Sequence, residues 1–439
     1  LKKRPNCAII VQGEGMNDES YLPRLIDKQV ALKLETFGAI CIEGAKWCGK
    51  TRTSRRHSKS AIYLGDPSGN FQNRELVKMA PKIALDGEVP RLIDEWQEVP
   101  SVWDTVRHEV DNRGKKGQFI LTGSATPVQK GILHSGAGRI STIRMRPMSL
   151  FESKDSSGQV SLRSLFDGTF EPKATPDIDL PTLIELTIRG GWPGSLGLSR
   201  EQYSLIPKEY MNSIINHDIY RLEGINRNSN KMYRLLRSLA RNESTTASIS
   251  TLRKDIKEYE DDDIDNDTIS AYLTVFERLF LIDNQNAFSA NIRSSTRIKQ
   301  SDKRHFVDPS LAIAVLGANY DDLLNDLHTF GFMFEALCER DLRIYAESLG
   351  GQLYHYQDYK NREIDAVVQL EDGRWGAFEI KLGADAIDSA AKSLIEIRDA
   401  LEKENAKTPD VLAVVCGLSK FSYRREDGVY VVPITALKP

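Results

Sequence analysis

The sequence predicts an α/β chain in three parts: an N-terminal parallel sheet, a mostly helical middle and a C-terminal third that returns to strands. Three observations lead there. Short apolar runs alternate with helical patterns through residues 21–155, as in a parallel sheet covered on both faces. Helix-period stretches dominate residues 181–300. Strand-like runs then recur from Gln352 to Pro433, with a helix-period stretch at Ala386–Lys403.

Length and charge bound the rest. At roughly 100–200 residues per domain, 439 residues allow two to four domains. A 40% hydrophobic content supports buried cores and argues against a disordered chain. A formal charge of −3, from 59 basic and 62 acidic residues, excludes a polybasic nucleic-acid coat. No apolar run reaches the roughly 20 residues of a membrane span, so no membrane partner is expected. Five scattered cysteines without metal-ligand spacing fit a reducing, cytoplasmic setting. Residues 1–20 read as an N-terminal extension and 156–180 as a linker, polar at Lys154–Gly158 and proline-bearing at Asp167–Pro181. The domains are then 21–155, 181–300 and 301–439.

In the first domain the expected strands are Ala39–Glu43, Ala61–Leu64, Arg91–Ile93 and Gln118–Leu121. The first runs into Gly44-Ala45-Lys46-Trp47-Cys48-Gly49-Lys50-Thr51, a complete G-x-x-x-x-G-K-[ST] motif, and a helix-like basic stretch follows. Its glycines let backbone N–H groups curl around phosphate oxygens. Lys50 is placed to neutralise the β- and γ-phosphates, and Thr51 to offer its hydroxyl to Mg²⁺. The strand at Arg91 ends in Asp94 and Glu95, about forty residues on. Asp94 suits the outer shell of Mg²⁺, and Glu95 suits a general base that polarises water. Ser124, after the next strand, is a candidate for the γ-phosphate or that water. Arg139, Arg144 and Arg146 are candidates for a transition-state arginine supplied by a neighbouring subunit.

These residues carry a resemblance. Tyr21–Arg24, Gly44–Thr51, Asp94–Pro100, Leu121–Ser124 and Pro147–Glu152 resemble a prokaryotic AAA+ ATPase family whose members carry a C-terminal domain of unknown function. Arg189–Pro193 and His305–Leu311 look like that second domain. The resemblance covers residues 21 to about 382. It implies that ATP and Mg²⁺ are the cofactors, with Lys50, Thr51, Asp94, Glu95 and Ser124 in the roles above. It also favours Arg139, in the matching Gly-Arg position; an arginine donated in trans makes the protein a homo-oligomer.

In the middle, helices at Lys231–Ala240, Thr251–Tyr259 and Thr268–Leu279, then a hairpin at Phe280–Phe288, resemble a winged helix. The seven carboxylates of Glu258–Asp267, with no base among them, read as a solvated loop that would repel a DNA backbone. In the last domain, Glu335 on a helix, Asp365 on one strand and Glu379-Ile380-Lys381 closing the next match the PD-(D/E)xK nuclease pattern of a restriction-endonuclease-like fold. Alternate strand residues share a face, so Glu379 and Lys381 point together and Asp365 can join Glu379 around Mg²⁺. Lys381 then positions or activates water; Glu335 holds a second ion or orients Lys381. The expected function is ATP hydrolysis coupled to action on DNA or RNA, with nuclease chemistry open. The alternative is an ATP-dependent switch or partner-binding module with a silent nuclease-like domain.

Overall fold

The computed structural model describes residues 21–125, 135–218, 228–290, 301–358 and 360–439. The N-terminal extension lies outside the described residues. The chain divides into two compact units, Leu1–Met145 and Arg146–Pro439. No helix among the described residues is long and apolar enough to cross a membrane.

The first unit is built on a parallel sheet of β1 (Ala39–Glu43), β2 (Ser60–Tyr63), β3 (Arg91–Asp94), β4 (Phe119–Gly123) and β5 (Ile140–Arg144), in the order β2-β3-β4-β1-β5. Strand periodicity explains why it has two cores. Ala39 and Cys41 of β1 face a cluster with Trp96, Trp103 and Val106, whereas Ile40 and Ile42 face Val30, Leu92 and Ile120. Both faces are therefore covered, by α1 (Asp27–Thr36) and α2 (Lys50–Arg56) among the helices and, on the Trp103 side, by α3 (Ser101–Arg113). The fifth strand escapes a sequence reading because it is an edge: only Ile140 and Ile143 are buried, between polar or half-buried Ser141, Thr142 and Arg144.

The second unit joins helices to a mixed sheet. The helices that organise it are α4 (Leu180–Arg189), α5 (Ser229–Arg241), α6 (Ile249–Tyr259), α7 (Asn266–Arg278), α8 (Pro309–Leu316) and α9 (Leu327–Ser348), with α10 (Ile387–Lys403) against the sheet. The sheet has seven strands: β6 (Lys173–Ala174), β7 (Gln352–Gln357), β8 (Glu363–Gln369), β9 (Trp375–Lys381), β10 (Val411–Cys416), β11 (Phe421–Arg424) and β12 (Tyr430–Pro433). Their order is β6-β11-β12-β10-β9-β8-β7. Strands β7, β8 and β9 are antiparallel neighbours; β9, β10 and β12 run parallel.

Two expectations change here. Residues 156–180 are not a bare linker: Val160–Ser161 pairs with Leu437–Lys438, and β6 extends the large sheet. Both pairings are two residues long, too short for a periodic signal. Phe280–Phe288 is not a hairpin within itself. Ile282 pairs with Phe306 and Gln285 with Lys303, while Thr245 pairs with Arg304. The partner strand lies some twenty residues downstream, beyond the reach of turn signals.

The sequence motifs meet inside this unit. Asp308 accepts from the Gly191 N–H and, with Asp341, pairs with Arg340; Trp192 Nε1 donates to Ser310. The Leu150 N–H donates to Asp341 at 2.8 Å. A Cβ on Gly191 would lie 2.1 Å from the Met148 carbonyl oxygen, so only glycine permits that approach.

Candidate functional site

The register of the first sheet decides what meets at its carboxyl edge. Glu43 of β1 lies beside Gly123 of β4, and Ile93 of β3 beside Leu121. Gly44, Asp94 and Ser124 thus emerge at one edge, where open parallel sheets form their ligand crevice. The loop requires its glycines. Gly44 has φ +156° and a Cβ there would lie 2.0 Å from the Met145 carbonyl oxygen; Gly49 has φ +105°. Ala45 and Cys48 are buried, while Trp47, also at positive φ, leaves 57% of its surface exposed. Lys46 is half-buried in the same loop.

Lys50 is only 4% exposed, and its ammonium donates to the Ala45 carbonyl at 2.8 Å. A phosphate oxygen makes a stronger, charge-assisted partner than that carbonyl. Thr51 Oγ1 donates to Asp94 Oδ1 at 2.9 Å, and Thr122 Oγ1 donates to the same oxygen at 2.6 Å. Burial pushes the Asp94 carboxyl above its ordinary range. The Thr122 and Thr51 hydroxyls and the Lys50 charge pull it down, while Glu95 adds to the rise. A hydroxyl beside a carboxylate is the hard oxygen pair that Mg²⁺ takes, so these residues fit the ion.

Glu95 leaves the strand line through a left-handed turn, φ 57°. Ser124 Oγ donates to Glu95 Oε2 at 2.7 Å, and Gln97 Nε2 donates to the same oxygen, fixing the carboxylate's direction. Arg139 is elsewhere. Its carbonyl accepts from the Ala39 N–H at the amino edge of the sheet, and its guanidinium pairs with Asp111 at 2.9 Å on the surface. Arg144 ends β5 beside Glu43, and Arg146 is buried in the second unit against Asp283 and Glu347.

Three supporting residues went unassigned in the sequence. Arg24 is buried and donates to the Cys48 carbonyl at 2.7 Å, clamping the loop from behind. Thr122 holds both Asp94 and, at 3.1 Å, the Glu95 N–H. Gln97 orients Glu95. The signal for Arg24 was the Tyr21–Arg24 motif itself. Tyr21 and His57 both bond Asp27 there. Burial raises the Asp27 carboxyl, but hydrogen bonds from His57, the Arg24 N–H and Tyr21 outweigh it and leave it below its ordinary range.

In the second unit the sheet brings Asp365, Glu379 and Lys381 together. Lys381 Nζ lies 2.7 Å from Glu379 Oε2 and 3.4 Å from Asp365 Oδ2; Asp365 Oδ2 also accepts from the Ile380 N–H at 2.7 Å. Burial, then the Asp365 charge, push the Glu379 carboxyl up to about 8 against the pull of Lys381. Glu335 does not bond Lys381. It pairs with Lys303, whose ammonium also bonds Glu339 at 2.8 Å. Burial lifts Glu335 to about 7, with Lys303 opposing. Among the described residues, no three His, Cys, Asp or Glu side chains are grouped to hold a metal ion; ammonium groups stand between these carboxylates. The donor chemistry of Asp365 and Glu379 still suits a hard cation.

Comparison with known proteins bears on the first unit as a domain. Residues 36–154 match a family described as an AAA domain. Residues 180–322 and 330–437 match two domains of unknown function, DUF8612 and DUF4143. Uncharacterized proteins of Mycobacterium tuberculosis and Mycobacterium bovis are each 24% identical over 349 residues, 78% of this chain and 70% of theirs. The Walker-type ATPase of Pyrococcus abyssi aligns over 68% of this chain and 97% of its own, at 13% identity and a TM-score of 0.40. Residues 36–154 thus form a P-loop AAA-like domain, the class of module that binds and hydrolyses ATP.

Proposed function

We propose that this protein hydrolyses ATP at the loop Gly44–Thr51 and that turnover drives its second unit. The observation that carries the reading is one hydrogen-bonded edge: Lys50 in the loop, Thr51 and Thr122 on Asp94, and Ser124 and Gln97 on Glu95. The loop amides and Lys50 hold the triphosphate. Mg²⁺, when bound, neutralises charge on the β- and γ-phosphates. Glu95 takes a proton from water as the water oxygen attacks the γ-phosphorus; the bond from that phosphorus to the β,γ-bridging oxygen breaks, ADP leaves, and Ser124 keeps the carboxylate aimed. Arg139, at the far edge of its own sheet, serves a neighbouring copy's site; its role therefore requires assembly. ATP turnover measured with and without Mg²⁺ tests this: Lys50→Ala abolishes it, and specific activity falls on dilution to monomer. Equal activity in Lys50→Ala overturns the reading.

A second reading rests on the convergence of Asp365, Glu379 and Lys381. In it the C-terminal cleft cuts phosphodiesters, and the helices α5–α7 with the paired segments at 282–285 and 303–306 act as a winged helix. Incubating the protein with DNA and RNA in Mn²⁺ tests it: Lys381→Ala removes cleavage. Intact substrates with normal ATP turnover leave the alternative, an ATP-driven switch whose cleft only recognises a partner.

A further inference from the structure

Lys303 is the most buried lysine among the described residues, and neither reading uses it: none of its surface is exposed. Its place is fixed by backbone. Gln285 and Lys303 exchange both N–H···O bonds at 2.9 Å, and the Gln285 side chain reaches the Tyr354 carbonyl at 2.6 Å and the Asp365 carbonyl at 3.2 Å. That pairing sends the lysine side chain onto one face of α9, where Glu335 and Glu339 stand one turn apart. The ammonium bonds both carboxylates and approaches the Asp365 carbonyl at 3.4 Å. His305 Nε2 lies 3.1 Å from the other oxygen of Glu339 without a hydrogen bond, and His305 Nδ1 lies 3.1 Å from Glu243 Oε1.

The ion pairs limit what else this cluster can hold. Four carboxylates, Glu335, Glu339, Asp365 and Glu379, face two ammonium groups, Lys303 and Lys381. Lys381 bonds one oxygen each of Asp365 and Glu379 and is 30% exposed, so those two acids form the open place for one divalent cation. Glu335 and Glu339, which would have to receive a second, already share an ammonium.

We propose that Lys303 is a resident cation of this cleft, standing between Glu335 and Glu339 where a second divalent metal ion would otherwise sit, so that the cleft takes one such ion and not two. Glu335 then neither holds a second ion nor orients Lys381; it is neutralised by the protein itself. This rests on reading the cleft as a metal-using site. Unlike a metal, the ammonium cannot be chelated, so this half of the cluster stays ordered in EDTA.

The test uses the nucleotide-free full chain and Mn²⁺ alone, followed by electron paramagnetic resonance and calorimetry. The wild type binds one Mn²⁺ per chain, and Glu379→Gln loses it. Lys303→Met leaves two buried carboxylates uncompensated, so its Tm in EDTA falls by on the order of 10 °C. It takes up two Mn²⁺ and regains about 5 °C or more as they bind. If Lys303→Met does not fold in EDTA, Lys303→Met with Glu335→Gln and Glu339→Gln restores folding and returns to one Mn²⁺. Wild type that binds two ions or none overturns the proposal, as does a folded Lys303→Met that keeps one ion and the wild-type Tm. Failure of the triple variant to fold overturns it too. DNA and RNA cleavage on the same samples reports separately: one bound Mn²⁺ without cleavage removes the nuclease reading and leaves the lysine's role standing.

Discussion

Thr51 donates its hydroxyl proton to Asp94 across 2.9 Å, tying the phosphate loop to the neighbouring acidic strand. The same carboxylate oxygen takes a second bond from Thr122, so two hydroxyls from two elements aim one acid. In the proposed mechanism, removing the acid takes away an outer-shell partner of the ion. Asp94→Ala is expected to weaken Mg²⁺ in the nucleotide complex by about 10–100-fold. Titrating Mg²⁺ into the ATPase assay at saturating ATP reads this as a rightward shift.

In the proposed mechanism, Glu95 is where binding and turnover separate. Glu95→Gln keeps the side chain's shape and its bond from Ser124 but cannot accept a proton. Turnover is expected to fall by about 10²–10⁴-fold with ATP affinity nearly unchanged. Binding of a fluorescent ATP analogue beside a phosphate-release assay checks both. A parallel fall in both assigns Glu95 to structure instead.

Arg24 acts on the loop from behind. Its guanidinium holds the buried Cys48 carbonyl at 2.7 Å, and Arg24→Ala leaves that carbonyl without its charged donor. A loss of about 2 kcal/mol in stability is expected, with a raised KM for ATP. Urea unfolding followed by Trp fluorescence measures the first effect, and steady-state kinetics the second.

The candidate phosphate site was legible in the sequence because its parts are local. Gly44–Thr51 is contiguous, and Asp94, Glu95 and Ser124 each end an apolar run. Parallel register then needs only adjacent strands to bring those ends together. The same alternation rule placed Glu379 and Lys381 on one face. What stayed hidden depends on pairings between distant segments. Lys303 meets Glu335 and Glu339 only because Gln285 pairs with it, and no pattern in either segment announces that. Strand β5 was hidden for a different reason: an edge strand with two buried residues has no continuous apolar run.

The acidic stretch 258–267 also reads differently once its partners are visible. Asp262 pairs with Arg234, Asp263 with Arg253, and Glu260 with Arg237 and Arg241, so these acids brace α5 and α6 instead of standing free in solvent. Asp265 caps α7 by accepting from the Thr268 N–H at 2.8 Å. Asp265→Ala is therefore expected to lower stability by about 1 kcal/mol. Serine at 261, 262 and 263 is expected to leave DNA affinity unchanged in a fluorescence-anisotropy titration. A clear gain in affinity there assigns the α7 approach to DNA.

Acid stability depends on a buried histidine. His355 lies within β7, where its backbone bonds Asn286 and Phe288 and its side chain is fully buried. Burial, then the positive charge of Lys303, push its pKa from 6.5 down to about 4. The sign follows from which state takes the proton. Above pH 6.5 neither state is protonated and His355 adds no pH dependence. As pH falls below 6.5, the unfolded chain binds a proton that the folded chain refuses until about pH 4, so folding stability drops across that window. The full loss is about 3 kcal/mol, set by the difference between the two pKa values. His305, also pushed well below its ordinary value by burial and by Lys303, acts in the same direction. His355→Leu removes its own share. The variant's urea midpoint is expected to fall less than the wild type's between pH 6.5 and 4.5, with the two curves parallel above pH 7. Equal slopes through the acid window would show that His355 is protonated in the folded protein as readily as in the unfolded chain.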